Sequence, residues 1–521
     1  MAFGTQYESV GQMEIFDSIP VPVSPSDLHI AGVPTVGDAS VASYGPILRP
    51  GATCWRIERA RRFAQIVDAA DYFRIVKAAM LRARHTILLI GWDFDARVEL
   101  EPDVAVSDLP KSLGLFINWI VEQRPSLQVY ILKWRFGVLK TLGRGPTPLF
   151  MLGWMFNRRI HFKLDGQHPV GACHHQKIVV IDDAIAFCGG IDITGARWDT
   201  HKHDDSNPHR VDSGGRPYGA WHDATTAVDG DAARALGEFS RERWLRATGE
   251  RLRPPPLDED PWPNSLAPTL TDVDVAIART EPEYRGRPEI REIEALYLAG
   301  IGAAQHSIYL ESQYFASRRI AEAIAARLSE ANGPEIVVVN PESADGWLEE
   351  LAMDTARARL LALIRRADQH NRFRIYVPIT AAGESIYVHA KIMTIDDRLL
   401  RIGSSNLNNR SMGFDTESDL AIEALPGSSD EERIGTAIAS VRHSLIAEHL
   451  AVSAAEVKAA SHASRSLIFA IESLMHPGRR LVPFQPSYNV ALEDQLAESE
   501  LLDPERPGSP WTAKRRRTPR R

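Results

Sequence analysis

Two stretches of this 521-residue chain place the side chains of phosphoryl chemistry at one repeated spacing. The first reads His175-Gln176-Lys177, four residues, then Asp182, with Gly189-Gly190-Ile191-Asp192 downstream. The second reads His389-Ala390-Lys391, four residues, then Asp396, with Gly403-Ser404-Ser405-Asn406 downstream. The steps from His175 to His389, Lys177 to Lys391, Asp182 to Asp396 and Gly189 to Gly403 are each 214 residues. In a strand, residues i and i+2 share a face, so the histidine and lysine of each copy reach one pocket together. A lone His-x-Lys means little; two copies with matched turns point to one composite site. Phosphodiester cleavage uses such a set. Lys177 and Lys391 neutralise the non-bridging phosphate oxygens as charge shifts in the transition state, and Ser404 and Asn406 add neutral hydrogen bonds. One histidine attacks phosphorus to give a phosphohistidine. The other protonates the leaving oxygen and then deprotonates the water or alcohol that resolves the intermediate. The two rings must therefore differ in protonation at work and titrate as a coupled pair.

Each histidine also needs an acceptor to orient it, as in a catalytic triad. Asp223 and Glu417 are the candidates, because each opens a matching strand (Asp223-Ala224-Thr225-Thr226-Ala227-Val228 and Glu417-Ser418-Asp419-Leu420-Ala421-Ile422). Read singly, either acid is an ordinary strand-end carboxylate; the matched placement favours catalytic support. Asp182 and Asp396, each followed by a second aspartate, are expected to form turns and anchor strands. Gly189, Gly190 and Gly403 are assigned to the same structural part of the motif. Trp198 and Trp221 stand beside motif blocks and are the tryptophans expected to contact substrate; Trp92, Trp134 and Trp154 are read as core. The run His201-Lys202-His203-Asp204-Asp205 to His209 invites a metal reading, but its polar, Gly- and Pro-containing surroundings favour a solvated loop near the pocket mouth. No metal and no cofactor is expected.

The elements that must carry these residues occur twice in the same order. An amphipathic run from Phe73 to Arg84 leads into the apolar stretch after His85, and Ile293 to Gln305 leads into the one after His306. Strand-like runs follow at Leu127–Leu132 and Glu335–Val339, then at Arg159–Leu164 and Phe373–Val377, and last at the motifs, His175–Ile181 and His389–Ile395. Helices interleaved with β-rich runs, given twice, predict an α/β duplication: two α/β/α domains with mixed sheets, pseudo-twofold related, with the active site between them. The triple proline Pro254-Pro255-Pro256 can continue neither helix nor central strand, so the junction falls there. The expected organisation is a flexible arm (1–45), a first domain (46–250), a Pro-rich linker (251–270), a second domain (271–425), a C-terminal helical extension (426–500, with helices near 430–450 and 454–475) and a basic tail (501–521).

Composition agrees with a soluble globular protein: 44% hydrophobic, 25% charged, formal net charge −8. That mild acidity speaks against a dedicated nucleic-acid binder, so no nucleic-acid partner is expected. Three cysteines (Cys54, Cys173, Cys188) make neither a disulfide framework nor a metal knuckle and are read as buried apolar residues. No signal sequence is legible, and no apolar run reaches the roughly 18 residues of a membrane span. The expected protein is a cytoplasmic monomer, peripheral at the membrane, without a dedicated protein partner.

These residues resemble the phospholipase D superfamily, whose signature is a duplicated H-x-K-x4-D. Gly189-Gly190-Ile191-Asp192, Arg197-Trp198-Asp199, Trp221-His222-Asp223, Glu311-Ser312-Gln313-Tyr314-Phe315, Asn408-Asn409-Arg410-Ser411 and Ala447-Glu448-His449-Leu450 look like blocks of its lipid-cleaving, eukaryotic-type branch. The resemblance spans roughly residues 55 to 452. It implies His175 as nucleophile and His389 as general acid. It further implies Lys177, Lys391, Asn406 and Ser404 on phosphate, and Asp223 and Glu417 orienting the histidines. The substrate implied is a glycerophospholipid met at the membrane surface, cleaved to phosphatidate and free headgroup, with transphosphatidylation to alcohols. The alternatives it leaves are a cardiolipin synthase-type phosphatidyltransferase and a nuclease of the same superfamily. Asp192 stands where the second copy has Asn406, so phosphate binding is not carried over to it.

Overall fold

The structure, a computed structural model, describes residues 45–106, 108–135, 153–154, 156–257, 260–344 and 347–485, without the side chains of 347–352 and 355. The expected basic tail, and the arm up to residue 44, lie outside the described residues. The first repeat runs β1 (Arg56–Val67), α1 (Ala69–Met80), β2 (Thr86–Gly91), α2 (Leu113–Gln123), β3 (Gln128–Trp134), β4 (Ile160–Asp165), β5 (Ile178–Ile181), β6 (Ile185–Gly189), β7 (Trp221–His222), β8 (Ala224–Asp229) and α3 (Gly230–Thr248). The second runs β9 (Leu270–Glu281), β10 (Ile290–Arg291), α4 (Glu292–Ala303), β11 (Ser307–Glu311), α5 (Arg318–Leu328), β12 (Glu335–Val339), α6 (Trp347–Ala367), β13 (Phe373–Ile379), β14 (Tyr387–Val388), β15 (Ile392–Ile395), β16 (Leu399–Gly403), α7 (Asn409–Gly413) and β17 (Glu417–Glu423). After it come α8 (Glu431–Leu450), α9 (Ala454–Ser464), α10 (Leu467–Leu474) and β18 (Arg480–Pro483).

The strands join in the order β18-β13-β12-β11-β15-β16-β17-β9-β1-β8-β6-β5-β2-β3-β4. Apart from β18 the order is a palindrome. Each second-repeat strand in that order has its counterpart at the same distance from the central antiparallel pair β1–β9, where Phe63 faces Leu270 and Arg56 faces Ile277. That pair lies at the pseudo-twofold axis. The sheet is mixed in both halves: β2–β3–β4 and β11–β12–β13 pair in parallel, while β5 and β15 pair antiparallel on both sides. The α/β duplication expected from the sequence is therefore present, built on one continuous ladder.

Sequence explains the layers. Apolar runs such as Ile87-Leu88-Leu89-Ile90 and Ile336-Val337-Val338-Val339 suit strands covered on both faces. Tyr72, Phe73, Val76, Ala79 and Met80 recur at helical spacing and give α1 its buried stripe. Each large apolar side chain so buried contributes about 1.5–3 kcal/mol. Each repeat keeps its own core on one side of the sheet, and a third core, from Phe63 and Ile178 across to Ile392 and Leu400, spans both.

Three details depart from the sequence reading. The motif strands begin at Ile178 and Ile392, after the lysines, because the His-x-Lys segments leave their own ladder for the opposite repeat. The helical pattern at 454–475 is broken at Arg465 (φ 54°) into α9 and α10. The C-terminal extension also contains a strand, β18, which extends the sheet edge antiparallel to β13. Among the described residues no helix is long and apolar enough to cross a membrane.

Candidate active site

The two motif segments meet the opposite repeat along a seam. His175 N donates to Thr416 O (3.0 Å) and Thr416 N to Cys173 O (3.0 Å), while β14 pairs in parallel with β7 and His389 N donates to His222 O (2.7 Å). The segment just before Glu417 thus runs beside His175, and the segment just before Asp223 runs beside His389.

The carboxylates are consequently crossed between repeats. Nδ1 of His175, in the first repeat, lies 2.9 Å from both oxygens of Glu417 in the second. Nδ1 of His389, in the second, lies 2.7 Å from Asp223 Oδ2 in the first. Among the described residues Nε2 of neither ring makes a hydrogen bond. A neutral imidazole whose Nδ1–H goes to a carboxylate keeps its Nε2 lone pair free, as a nucleophile or base requires.

Both acids are held. Ser404 and Ser411 donate their hydroxyls to the two oxygens of Glu417. Ala224 N donates to Asp223 Oδ1 (2.8 Å). The sequence reading puts Ser404 on phosphate; in the structure its proton goes to Glu417 and its oxygen accepts from Ser418 N (3.0 Å), so it positions the carboxylate instead. Gly190 is required at its place because a Cβ there would sit 2.3 Å from Asp223 Oδ1. Gly403 and Gly189 have equally close neighbours, Asp419 and Thr225.

Lys177 Nζ donates to His175 O (3.0 Å) and pairs with Asp192 Oδ2 at 3.3 Å. Lys391 Nζ donates to His389 O. Asn406 is buried, and its Oδ1 has no hydrogen-bond partner among the described residues. Asp192, the odd member of the repeat, thus acts on a lysine, which removes the objection to a carboxylate beside an anion.

Burial dominates the titration of the site. It holds His175 well below the usual histidine range, helped by Lys177 and Lys391. It does the same to His389, helped by Lys391 and Arg197. It pulls Lys391 down to about 7, opposed by Asp223, and pushes Glu417 up to about 7, opposed by Lys177. The pocket without an anion therefore favours two neutral histidines. A phosphate group would offset the lysine charge and let one ring take a proton.

The aromatic expectations divide. Trp221 stacks on Tyr387 (4.5 Å between centroids) and lies 5.4 Å from the His389 ring, so it belongs to the site. Trp198 packs in the first repeat's core, edge-on to His209 at 5.7 Å. Its neighbour Arg197 places its guanidinium 4.2 Å over the Trp221 ring and raises the local positive potential felt by His389 and Lys391. The sequence reading quotes Arg197 only as part of a block. Its place directly before Trp198 is the signal in the sequence that points to it. Ser411, also missed, stands in the block Asn408-Asn409-Arg410-Ser411.

Asp182 takes three backbone N–H groups, from Arg84, His85 and Thr86, and Asp396 takes the equivalent three, from Gln305, His306 and Ser307. Both stand at positive φ, in the turns that follow β5 and β15. All three cysteines are free and buried. Within the 201–209 segment His201, Lys202, Asp204 and Asp205 are exposed, as a solvated loop requires, and His203 alone departs from that reading: it is buried, with Nδ1 3.0 Å from Asp199 Oδ2. Asp199 is itself fixed by Arg210 and Trp221 N.

Comparison with known proteins points the same way. Residues 297–430 match the family model described as "Cardiolipin synthase, PLD-like domain". Phospholipase D A of Dictyostelium discoideum is 26% identical over 68% of this chain and 32% of its own length. Phospholipase D1 of Schizosaccharomyces pombe is 24% identical over 71% and 34%, and phospholipase D alpha 4 of Arabidopsis thaliana 22% over 68% and 60%. The chain spans about a third of the length of the first two. Among solved structures, phosphatidylserine synthase of Haemophilus influenzae shares the fold, with a TM-score of 0.50 and 12% identity over 76% of this chain and 88% of that one.

Proposed function

Since the chain is a member of the phospholipase D superfamily, we propose that it hydrolyses a glycerophospholipid to phosphatidate and free headgroup through a phosphohistidine. The observation that carries this reading is the crossed pair of buried His–carboxylate contacts, His175–Glu417 and His389–Asp223, each with a motif lysine on the same segment.

Nε2 of His175 attacks phosphorus, and the bond from phosphorus to the headgroup oxygen breaks. His389, protonated once the anion is bound, gives its proton to that oxygen, and Asp223 stabilises the imidazolium beforehand. Lys177, Lys391, Arg197 and Asn406 take up the charge on the non-bridging oxygens. His389, now neutral, removes a proton from water; the oxygen attacks phosphorus, the P–N bond breaks, and His175 is regenerated. Because a primary alcohol can replace water in that last step, transphosphatidylation belongs to the same mechanism.

A phosphatidyltransferase that uses a lipid alcohol as acceptor shares every step but the last nucleophile, and the description of the matching family model favours it as the second reading. One assay separates the readings. Phosphatidylcholine, phosphatidylethanolamine and phosphatidylglycerol are incubated with the chain, with and without butanol. Phosphatidate and phosphatidylbutanol support the lipase, and cardiolipin from phosphatidylglycerol supports the transferase. If no phospholipid is turned over while plasmid DNA is cut, the lipid reading fails. His175→Ala and His389→Ala should each nearly abolish turnover of a folded protein.

A further inference from the structure

Four side chains that this mechanism does not use converge in the interior behind Asp223. Asp68 heads α1, His203 comes from the 199–220 loop, His222 sits between Trp221 and Asp223, and Glu448 lies in the last turns of α8. His203 Nε2 is 3.6 Å from Asp68 Oδ2 and 3.2 Å from Glu448 Oε1. His222 Nδ1 is 3.5 Å from Asp68 Oδ1 and 2.7 Å from Glu448 Oε1. Tetrahedral zinc with N and O ligands at 2.0–2.1 Å separates its ligand atoms by about 3.3 Å, and the four distances bracket that value.

Two further observations point to a ligand. His222 Nδ1 and Asp68 Oδ2 are buried and make no hydrogen bond of acceptable geometry, close though they are to their neighbours. The far nitrogen of each histidine meets a carboxylate: His203 Nδ1 lies 3.0 Å from Asp199 Oδ2, and His222 Nε2 lies 2.7 Å from Glu311 Oε2. That outer carboxylate fixes the tautomer that turns a lone pair inward, as around metal-bound histidines. The outer acids are themselves anchored, Asp199 by Arg210 and Trp221 N, Glu311 by the Tyr309 hydroxyl and His449.

We propose that Asp68, His203 Nε2, His222 Nδ1 and Glu448 bind one divalent transition-metal ion of the zinc class, as a structural centre apart from the reacting histidines. Two imidazoles with two carboxylates suit zinc better than the all-oxygen shells of calcium or magnesium. Asp68, Asp199, Glu311 and Glu448 bring four carboxyl groups together in the interior, and a dication would add two positive charges beside that of Arg210. The metal-free alternative is protonation of both rings, and the surrounding acids do push His203 up to about 9 and His222 well above its usual range. The ion would tie α1, the 199–220 loop, the His222 segment and α8 together. It would also steady the general acid: Asp68 N donates to Asp223 O (2.7 Å), and Asp223 N donates to Asp68 Oδ1 (3.2 Å).

The test is metal analysis of the full chain, tag removed and purified without chelator, then dialysed against zinc-buffered solution. About one zinc per chain is expected, with a lower melting temperature in chelator and, on replacement by cobalt, the visible bands of a tetrahedral site. Glu448→Gln and His203→Gln should each lower zinc affinity by at least about tenfold. If either variant fails to fold, the cobalt spectrum and the chelator shift of the unmodified chain decide. Less than about a tenth of an equivalent of zinc, with the same melting temperature in zinc and in chelator, would overturn the proposal and leave two imidazolium protons holding the cluster. Zinc bound undiminished by both variants would overturn it too. None of these readouts depends on which phosphodiester is cleaved.

Discussion

Asp223→Asn tests the crossed assignment directly. Asp223 is 1% exposed, so solvent does not screen its contact with His389. In the variant, Oδ1 keeps the bond from Ala224 N, and the new amide NH2 faces His389 Nδ1 across the former 2.7 Å contact. Two donors cannot share that line, so the ring turns to the tautomer with Nδ1 unprotonated, and imidazolium loses its stabilising charge. The general-acid contribution, about 10²–10⁴ in rate or roughly 3–5 kcal/mol, should be lost. The loss must depend on the leaving group. A choline alkoxide needs the proton, whereas a p-nitrophenolate does not. The assay is a first-turnover burst, before the proposed phosphohistidine would be hydrolysed, on phosphatidylcholine and on phosphatidyl-p-nitrophenol. Asp223→Asn should slow the choline burst by at least about a hundredfold and the aryl burst by less than about tenfold. Glu417→Gln, which weakens the attacking ring, should slow both alike. If Asp223→Asn slowed both bursts equally, Asp223 would serve the nucleophile and the crossed scheme would be wrong.

Other consequences are quicker to check. Lys391 is charged below its depressed pKa of about 7, so phosphate binding, and with it kcat/KM, should fall as pH rises through about 7. On the acid side His175 stays neutral well below the ordinary histidine range, so the fall in a pH–rate profile should come from Glu417, whose carboxyl takes a proton as pH drops through about 7, and that limb should be absent in Glu417→Gln. Gly190→Ala puts a methyl 2.3 Å from Asp223 Oδ1 and should cost about a hundredfold in turnover through roughly an ångström of displacement, with circular dichroism unchanged. Asp182→Ala and Asp396→Ala each strip three backbone N–H groups of their acceptor and should cost about 2–3 kcal/mol of stability in urea titrations.

Much of this site is a matter of spacing, and spacing is written in the chain. Two His-x-Lys copies 214 residues apart, with matching turns and apolar runs, determine a duplicated α/β framework and a phosphoryl chemistry. The doubled aspartates likewise mark Asp182 and Asp396 as turn residues, and each takes its backbone N–H groups from the entry to β2 or β11 in its own repeat. What periodicity does not encode is which segment faces which across the seam. His175 and Glu417 are separated by 242 residues, His389 and Asp223 by 166. A same-repeat pairing would satisfy the same sequence pattern. The palindromic sheet around β1 and β9 decides it, since it sends each motif segment out of its own ladder and beside the acid of the other repeat. Tertiary structure alone likewise turned Ser404 onto Glu417, set Arg197 over Trp221 and drew His203 into the interior. Those partners follow no strand or helix period: Glu417 stands 13 positions from Ser404, and Glu448 stands 245 from His203, so each contact forms only when folding buries the pair and leaves no water to take the partner's place.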